Sequence, residues 1–381
     1  MATGVLFPSY DHPAIEERYA SWQAELRLRS EGSRLHYYPA GLAARDAAYE
    51  VKEEHVLVVT DPLILAPHGI AAALHAALGD AEAAVPVSNV ASNPAQRAAL
   101  PSLYMTLREL DLVGEQMRES KAPAETVTWS GGDPSIFYCR TEMLDKIAAP
   151  LDRALEGRRV SIVHSEYAHR WSSMRGQVRE DLLARIPTDA RSILEFGCGE
   201  GSLGRALKQR QKCRVAGIEL DPEAAAMAKK NIDVVYQGDA TEIIAILNEQ
   251  FDWIIGGDIV EHLADPWSFL ADLRRVATPG GHLLLSLPNL ASGSIIADLL
   301  AGRFDYVYMG LACVGHLRFF TRSSIESMLA MSGWSKVEIA PQPLGITPPA
   351  EQLMSRLEQA AIPFSREDLL ASGYYVVARN G

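Results

Sequence analysis

The C-terminal half of the chain alternates short apolar runs with segments that carry apolar residues at helical spacing. The apolar runs that predict strands are SILEF from Ser192, RVAGIEL from Arg214, DVVYQ from Asp233, FDWIIGG from Phe251, HLLLSLP from His282, SKVEIAP from Ser335 and YYVVARN from Tyr374. Strands that alternate with helices form a mostly parallel sheet with helices on both faces. We therefore predict a doubly wound, Rossmann-like α/β fold that binds its ligand at the carboxyl ends of the strands.

The N-terminal region carries a weaker pattern of the same kind. Its strand-like runs, HVLVVTD from His55 and SIFYC from Ser135, are separated by Ala-rich helical stretches and turns. A chain of 381 residues exceeds what one compact core usually organises. We therefore predict a smaller α/β domain at residues 1–150 and a second domain at residues 151–381, with residues 290–321 placed to cover a ligand.

Charge and hydropathy exclude several classes of partner. The formal net charge is −12, and no Lys/Arg-rich block is present that would neutralise phosphates, so we do not expect a nucleic-acid partner. No apolar run reaches the roughly 20 residues of a membrane span, and the N-terminus lacks the pattern of a signal peptide. We therefore expect a cytoplasmic protein. The four widely spaced cysteines predict neither a disulfide framework nor structural zinc.

A glycine-rich motif, EFGCGEG at residues 195–201, follows the first strand of the second domain. Glycines permit positive φ and let the backbone lie against a ligand. Gly199, Gly201 and Gly204 also satisfy GxGxxG, with Glu219 about 20 residues further on, so a nicotinamide dinucleotide is one alternative. Glu195 favours S-adenosylmethionine instead, because a carboxylate repels a pyrophosphate and attracts the ammonium group of a methionine.

These motifs, together with GIELDP, GDA, FDWIIGGDIVEHLADP, TPGGHLLLSLPN and HLRFFT, resemble class I S-adenosylmethionine-dependent methyltransferases from about residue 167 onward. The resemblance is to the branch of ubiquinone-type O-methyltransferases and enzymes of natural-product and cell-surface sugar biosynthesis. It implies that the methionine part is held by Glu195, Gly197, Cys198, Gly199 and Gly201. It also implies contacts of Glu219 with both ribose hydroxyls, of Asp239 with the adenine amino group, of Leu220 and Ala240 with the adenine ring, and of Asp258 and Ile259 with the reacting methyl.

Methylation of a hydroxyl requires removal of a proton, and His262 and His316 are the candidate bases. Each has a structural alternative, because His262 is equally suited to orient its loop and His316 to brace the turn at Arg318. Arg318 is a candidate for binding a substrate carboxylate or phosphate, or for pairing with a structural acid.

Other residues of this region are of the types that contact an acceptor or a metal. Tyr306 and Tyr308 are candidates for enclosing the acceptor, with core packing as the alternative. The acidic residues near His262, which are Asp258, Glu261 and Asp265, raise the question of magnesium, but their spacing is not diagnostic and we expect no metal.

Residues 33–147 faintly resemble the second half of nucleotide-sugar-dependent glycosyltransferases. The opening strand of that family is not evident in the first thirty residues, and its Asp-x-Asp motif is reduced to Thr60-Asp61-Pro62. The resemblance therefore implies a degenerate module that binds an acceptor glycan or mediates dimerisation.

The sequence as a whole predicts an O-methyltransferase that acts on a sugar, a glycan or a related intermediate, as in polysaccharide biosynthesis. The acceptor is expected to be a small molecule or a glycan. A homodimer is one alternative for the assembly of the chain. N- or C-methylation of a small molecule, a nicotinamide-dependent reductase and a noncatalytic S-adenosylmethionine-binding subunit remain open.

Overall fold

The computed structural model describes residues 3–10, 14–30, 32–101, 104–171 and 176–381. The chain forms two compact units, of which unit 1 comprises Met1–Ser172 with Asp305–Val314, and unit 2 comprises Ser173–Phe304 with Gly315–Gly381. The predicted boundary near residue 150 falls inside unit 1, because a strand at Arg159–Arg170 completes the sheet of that unit. Among the residues just given, no helix is both long and apolar enough to cross a membrane.

Unit 1 is an α/β unit built on one mixed sheet. Its strands are β1 (Gly4–Pro8), β2 (Arg34–Tyr38), β3 (His55–Val59), β4 (Ile64–Leu65), β5 (Ala83–Ser88), β6 (Glu125–Thr128), β7 (Ile136–Arg140) and β8 (Arg159–Arg170). Its helices are α1 (Ile15–Ser30), α2 (Ala44–Ala47), α3 (Ile70–Leu78), α4 (Leu107–Glu119) and α5 (Thr141–Leu144), with 3-10 turns at Pro94–Gln96 and Leu151–Arg153. The strand order is β2-β1-β3-β7-β5-β8-β4, and β6 pairs with β8.

An opening strand is present in unit 1, although the sequence did not reveal it. Strand β1 is buried along its whole length and pairs in parallel with both β2 and β3. Five residues that are buried on both faces show no alternation of apolar and polar positions, so this strand has no periodic signal.

Unit 2 contains the remaining strands and helices. The strands are β9 (Ser192–Phe196), β10 (Arg214–Glu219), β11 (Val234–Gln237), β12 (Phe251–Gly257), β13 (Ala277–Pro288), β14 (Ser335–Pro343) and β15 (Ala371–Arg379). The helices are α6 (Glu180–Leu183), α7 (Ser202–Arg210), α8 (Pro222–Ala228), α9 (Ala240–Ile246), α10 (Pro266–Val276), α11 (Gly293–Leu300), α12 (Arg322–Met331), α13 (Pro348–Gln359) and α14 (Arg366–Leu369), with a 3-10 turn at Val260–His262.

The sheet of unit 2 has the order β11-β10-β9-β12-β13-β15-β14. Strands β9 to β13 run parallel, and β15 is antiparallel to both β13 and β14. Leu194 and Phe196 of β9 pack into one core and Ile193 packs into another, so both faces of the sheet are covered. The predicted doubly wound α/β fold is confirmed, and its strand order reverses direction between β9 and β12, where such sheets bind ligands.

Candidate active site

The loop that follows β9 brings its backbone close to neighbouring elements. Gly197, Gly199 and Gly201 have φ values of 72°, 53° and 74°, which residues with a Cβ rarely adopt. A Cβ on Gly197 would lie 2.3 Å from Cδ1 of Ile259, so the loop touches the segment after β12. The side chain of Cys198 is buried in the core of unit 2, so only its backbone is available to a ligand.

Glu195 is a buried carboxylate at the end of β9. Its side chain is 7% exposed, and among the described residues no group donates a hydrogen bond to Oε2. Burial raises the pKa of Glu195 to about 8, Arg179 opposes the rise and Glu219 adds to it. A buried carboxylate without a partner is costly, so this position suits a cationic group of a ligand.

The next strand end holds a second carboxylate in a fixed orientation. Oε2 of Glu219 accepts a hydrogen bond from the Gly199 N–H at 2.7 Å, and Oε1 accepts one from the Asp221 N–H at 2.9 Å. Beside it, Leu220 is 67% exposed, which leaves an apolar surface at the strand end. A carboxylate next to an exposed apolar side chain fits a ribose with its attached base.

Asp239 and Ala240 follow β11, where α9 begins. Asp239 caps this helix by accepting a hydrogen bond from the Thr241 N–H at 2.7 Å. Hydrogen bonding from the Thr241 side chain lowers the pKa of Asp239. Asp239 is therefore observed as a helix cap. The contacts of Asp239 and Ala240 with adenine stay predictions.

Asp258 lies immediately after β12 with a φ of 55°. Its carboxylate pairs with Nη1 of Arg179 at 2.6 Å and accepts a hydrogen bond from the Ser286 hydroxyl at 2.9 Å. Arg179 also pairs with Asp181 at 2.8 Å. Arg179 could not be recognised as a site residue from the sequence, because it lies outside the motifs and only the fold brings it to Asp258.

The structure brings the two candidate bases together. The ring centroids of His262 and His316 are 4.9 Å apart, with an interplanar angle of 81°. Nδ1 of His262 lies 3.0 Å from the carbonyl oxygen of Gly315. Since a carbonyl only accepts, Nδ1 carries a hydrogen, and the lone pair of the neutral ring of His262 is on Nε2.

Glu261 lies close to both histidines and is fully buried. Its main-chain oxygen accepts hydrogen bonds from the N–H groups of Leu317 and Arg318 at 2.9 and 3.0 Å, which holds the His316 segment in place. Oε1 of Glu261 lies 3.8 Å from Nε2 of His316. Burial, with a contribution from Asp258, raises the pKa of Glu261 well above its usual range.

The guanidinium group of Arg318 is directed to main-chain oxygens. Nη1 donates to the carbonyl of Leu317 at 2.9 Å, and Nη2 donates to the carbonyl of Ala264. These bonds tie the His316 segment to the loop before α10. The predicted contact of Arg318 with a substrate anion stays a prediction.

Replacing Arg318 by methionine is expected to destabilise unit 2 more than it weakens acceptor binding. Both bonds are exposed to solvent, so we expect their loss to cost about 0.5–1 kcal/mol each. Thermal unfolding and the KM of the acceptor, measured for the same variant, separate the two effects. A large rise in KM at unchanged unfolding temperature would instead assign Arg318 to the substrate.

Tyr306 and Tyr308 belong to unit 1, within Asp305–Val314. Tyr308 is 6% exposed, its hydroxyl donates to Glu17 at 3.3 Å, and its ring packs against Trp171 at a centroid distance of 5.8 Å. The ring of Tyr306 is partly exposed. Core packing is therefore observed for Tyr308, and contact of either ring with an acceptor stays a prediction.

Comparison with known proteins identifies a methyltransferase domain in part of the chain. A family model described as a methyltransferase domain matches residues 165–339. A ubiquinone biosynthesis O-methyltransferase of Cereibacter sphaeroides is 24% identical over 163 residues, which cover 42% of this chain and 66% of that protein, just under two thirds of its length. The corresponding protein of Azorhizobium caulinodans is 28% identical over 180 residues, which cover 43% of this chain and 70% of that protein.

Solved structures of similar proteins include an S-adenosylmethionine-dependent methyltransferase from Archaeoglobus fulgidus. It is 17% identical, with a TM-score of 0.40, and the match covers 53% of this chain and 94% of that chain.

The strand order, the glycine loop and the buried Glu195 define unit 2 as a nucleoside-binding α/β unit suited to a cationic ligand. With the family match, the chain contains a class I S-adenosylmethionine-dependent methyltransferase domain, and S-adenosylmethionine is its cofactor. The predicted class of enzyme and the predicted cofactor are thereby confirmed.

Proposed function

We propose that the chain transfers a methyl group from S-adenosylmethionine to a hydroxyl group of a small-molecule or glycan acceptor. The observation that supports a hydroxyl is the fixed orientation of His262, whose Nε2 retains a lone pair next to His316. A hydroxyl must lose its proton as it is methylated, whereas an amine has a lone pair of its own. A pair of imidazoles close to the end of β12 therefore favours an oxygen nucleophile.

Different residues of unit 2 have different roles in this reaction. S-adenosylmethionine supplies a methyl group already activated on a sulfonium, so an oxygen–carbon bond forms as the sulfur–carbon bond breaks. Glu195 binds the ammonium group, the loop at Gly197 packs along the methionine part, and Glu219 orients the ribose. Nε2 of His262 or His316 takes the hydroxyl proton and later passes it to water.

The class of acceptor is proposed from two sources. The relatives named above are described as O-methyltransferases of ubiquinone biosynthesis, which supports an oxygen acceptor. The faint resemblance of unit 1 to sugar transferases supports a sugar or glycan, as in polysaccharide biosynthesis. In this proposal, unit 1 binds the acceptor glycan or holds two copies of the chain together.

Transfer of an isotopically labelled methyl group to a cell extract tests the proposal. The full chain, labelled S-adenosylmethionine and extract are incubated, and the labelled product is isolated and identified by mass and by the NMR shift of its methyl carbon. We expect a methyl ether. A methylated nitrogen or carbon in the product would contradict the proposal, and Glu195→Gln, which is expected to lose cofactor affinity, serves as the blank.

A further inference from the structure

Helix α1 of unit 1 presents a second apolar face to solvent. Its inner face packs into the core of unit 1 through Ala24 and Leu28. Between residues 15 and 29 of this helix, the exposed positions, which we call the outer stripe, are Ile15, Arg18, Trp22, Leu26 and Arg29. The three apolar side chains of the outer stripe are 50–55% exposed. A helix that is apolar on two faces has one face for its own core and one for another molecule.

Neighbouring side chains widen this exposed surface. Tyr37 of β2 is exposed, and its hydroxyl donates a hydrogen bond to Glu25 of α1. The ring centroid of Tyr19 lies 5.7 Å from that of Trp22 and 6.5 Å from that of Tyr306. Tryptophan, tyrosine and arginine are enriched at the centres of protein–protein interfaces. The composition of the surface therefore favours a protein as its partner.

The spacing of the outer stripe is symmetric about Trp22. Its other members lie seven and four residues before Trp22, and four and seven residues after it. A helix with this spacing presents the same pattern when it is turned end over end, as a two-fold interface between identical chains requires. Antiparallel pairing places Trp22 of both copies on the axis. It places Arg18 opposite Leu26 of the second copy, and Ile15 opposite the aliphatic part of Arg29.

The charges beside the outer stripe favour the antiparallel orientation. In a parallel pair, Arg18 and Arg29 would each face their own copy, and like charges repel. In an antiparallel pair, Arg18 lies next to Glu25 of the second copy, and Arg29 lies next to Glu16 of the second copy. Glu25 also pairs with Arg29 of its own chain at 2.8 Å. Charges of opposite sign therefore alternate along the interface.

We propose that two copies of the chain associate through the outer stripe, with their α1 helices antiparallel about a two-fold axis at Trp22. Association of two copies is one of the two roles proposed above for unit 1, and to that extent the inference rests on the proposed function. A helix of 16 residues is about 24 Å long, which is short for a standard interface of about 800 Å² per partner. We therefore expect a dimer that dissociates on dilution.

Sedimentation velocity of the full chain over a range of concentrations tests the assembly. We expect a monomer that converts to a dimer as the concentration rises. Trp22→Glu places two like charges at the axis and is expected to weaken dimerisation about a hundredfold or more. Tyr49 is 87% exposed and lies outside α1, so Tyr49→Glu is the matched control and should dimerise normally. Unchanged thermal unfolding of both variants shows that the fold is intact.

Cysteine cross-linking tests the orientation of the helices. In the antiparallel pair the two copies of residue 22 meet, whereas the two copies of residue 29 are about 21 Å apart along the axis of the helix. A disulfide requires Cα atoms within about 7 Å of each other. With a mild oxidant we expect covalent dimers of Trp22→Cys and none of Arg29→Cys, and the wild-type chain controls for the native cysteines. Cross-linking of Arg29→Cys, or of neither variant, would contradict the antiparallel pair.

Other results would overturn the interface as a whole. These are a chain that stays monomeric at every concentration and a dimer that Trp22→Glu leaves intact. Binding of a monomeric chain to phosphatidylglycerol vesicles, lost in Trp22→Glu, would assign the outer stripe to a lipid surface instead.

The methylated product separates this inference from the proposed function. A dimeric chain that methylates nitrogen would refute the proposed function and leave the interface in place. A monomeric chain that forms a methyl ether would refute the interface alone.

Discussion

Replacement of Glu195 by glutamine is expected to weaken S-adenosylmethionine binding about a hundredfold, which corresponds to about 2.7 kcal/mol. The carboxylate is buried and has an oxygen without a donor among the described residues, so the ligand's ammonium group is its natural partner. The amide has nearly the same shape but no charge. Isothermal titration with the cofactor measures the loss, and the exposed Glu223→Gln is the matched control, expected to bind normally.

The same residue predicts how binding depends on pH. Because the pKa of Glu195 is raised to about 8, the free protein holds this group protonated at neutral pH. Binding of an ammonium favours the ionised form, so a proton is released and affinity rises about tenfold per pH unit up to about pH 8. Titrations in buffers of different ionisation enthalpy count the proton. The slope should vanish in Glu195→Gln, and a pH-independent affinity in the wild-type chain would contradict this role.

Glu195 also lowers the stability of the cofactor-free protein at neutral pH. Its pKa in the folded state lies above that in the unfolded state, so the folded protein binds more protons between the two values. Stability must therefore fall as pH rises from about 4.5 toward 8. In Glu195→Gln this fall in stability with pH should be absent. Glu195 therefore lowers the stability of the cofactor-free protein while it serves cofactor binding.

The parts of the site that the sequence predicted are those that follow strand ends. Glu195 and Glu219 stand at the carboxyl ends of two parallel strands, and a parallel sheet brings such positions to one edge. Arg179 and Glu261 do not follow this pattern of strand ends. Arg179 lies 79 residues before its partner Asp258, and no local pattern marks a salt bridge of that span.

Glu261 was recognised only as an acidic neighbour of His262. Its importance comes from burial and from the segment around His316, which the main-chain oxygen of Glu261 anchors through Leu317 and Arg318. Neither property is visible in a single sequence, because both arise when two loops meet. The predicted boundary near residue 150 lies before the end of unit 1 for a similar reason. Strand β8 follows residue 150 but pairs with β5, which lies far before it in the chain.

Replacement of His262 by alanine is expected to lower kcat/KM by about 10²–10⁴-fold and to leave cofactor affinity unchanged. The hydrogen bond from Nδ1 of His262 to a main-chain carbonyl places the lone pair of the neutral ring on Nε2. His282→Asn, at a histidine that stacks on Trp253 outside the site, should leave turnover unchanged.

A rescue experiment with His262→Ala tests its role as a base. Added imidazole that restores turnover identifies His262 as a base, because a diffusible base replaces the missing one. Unchanged turnover in both His262→Ala and His316→Ala would mean that the acceptor atom brings its own lone pair, as an amine does, and would remove the argument for an oxygen nucleophile.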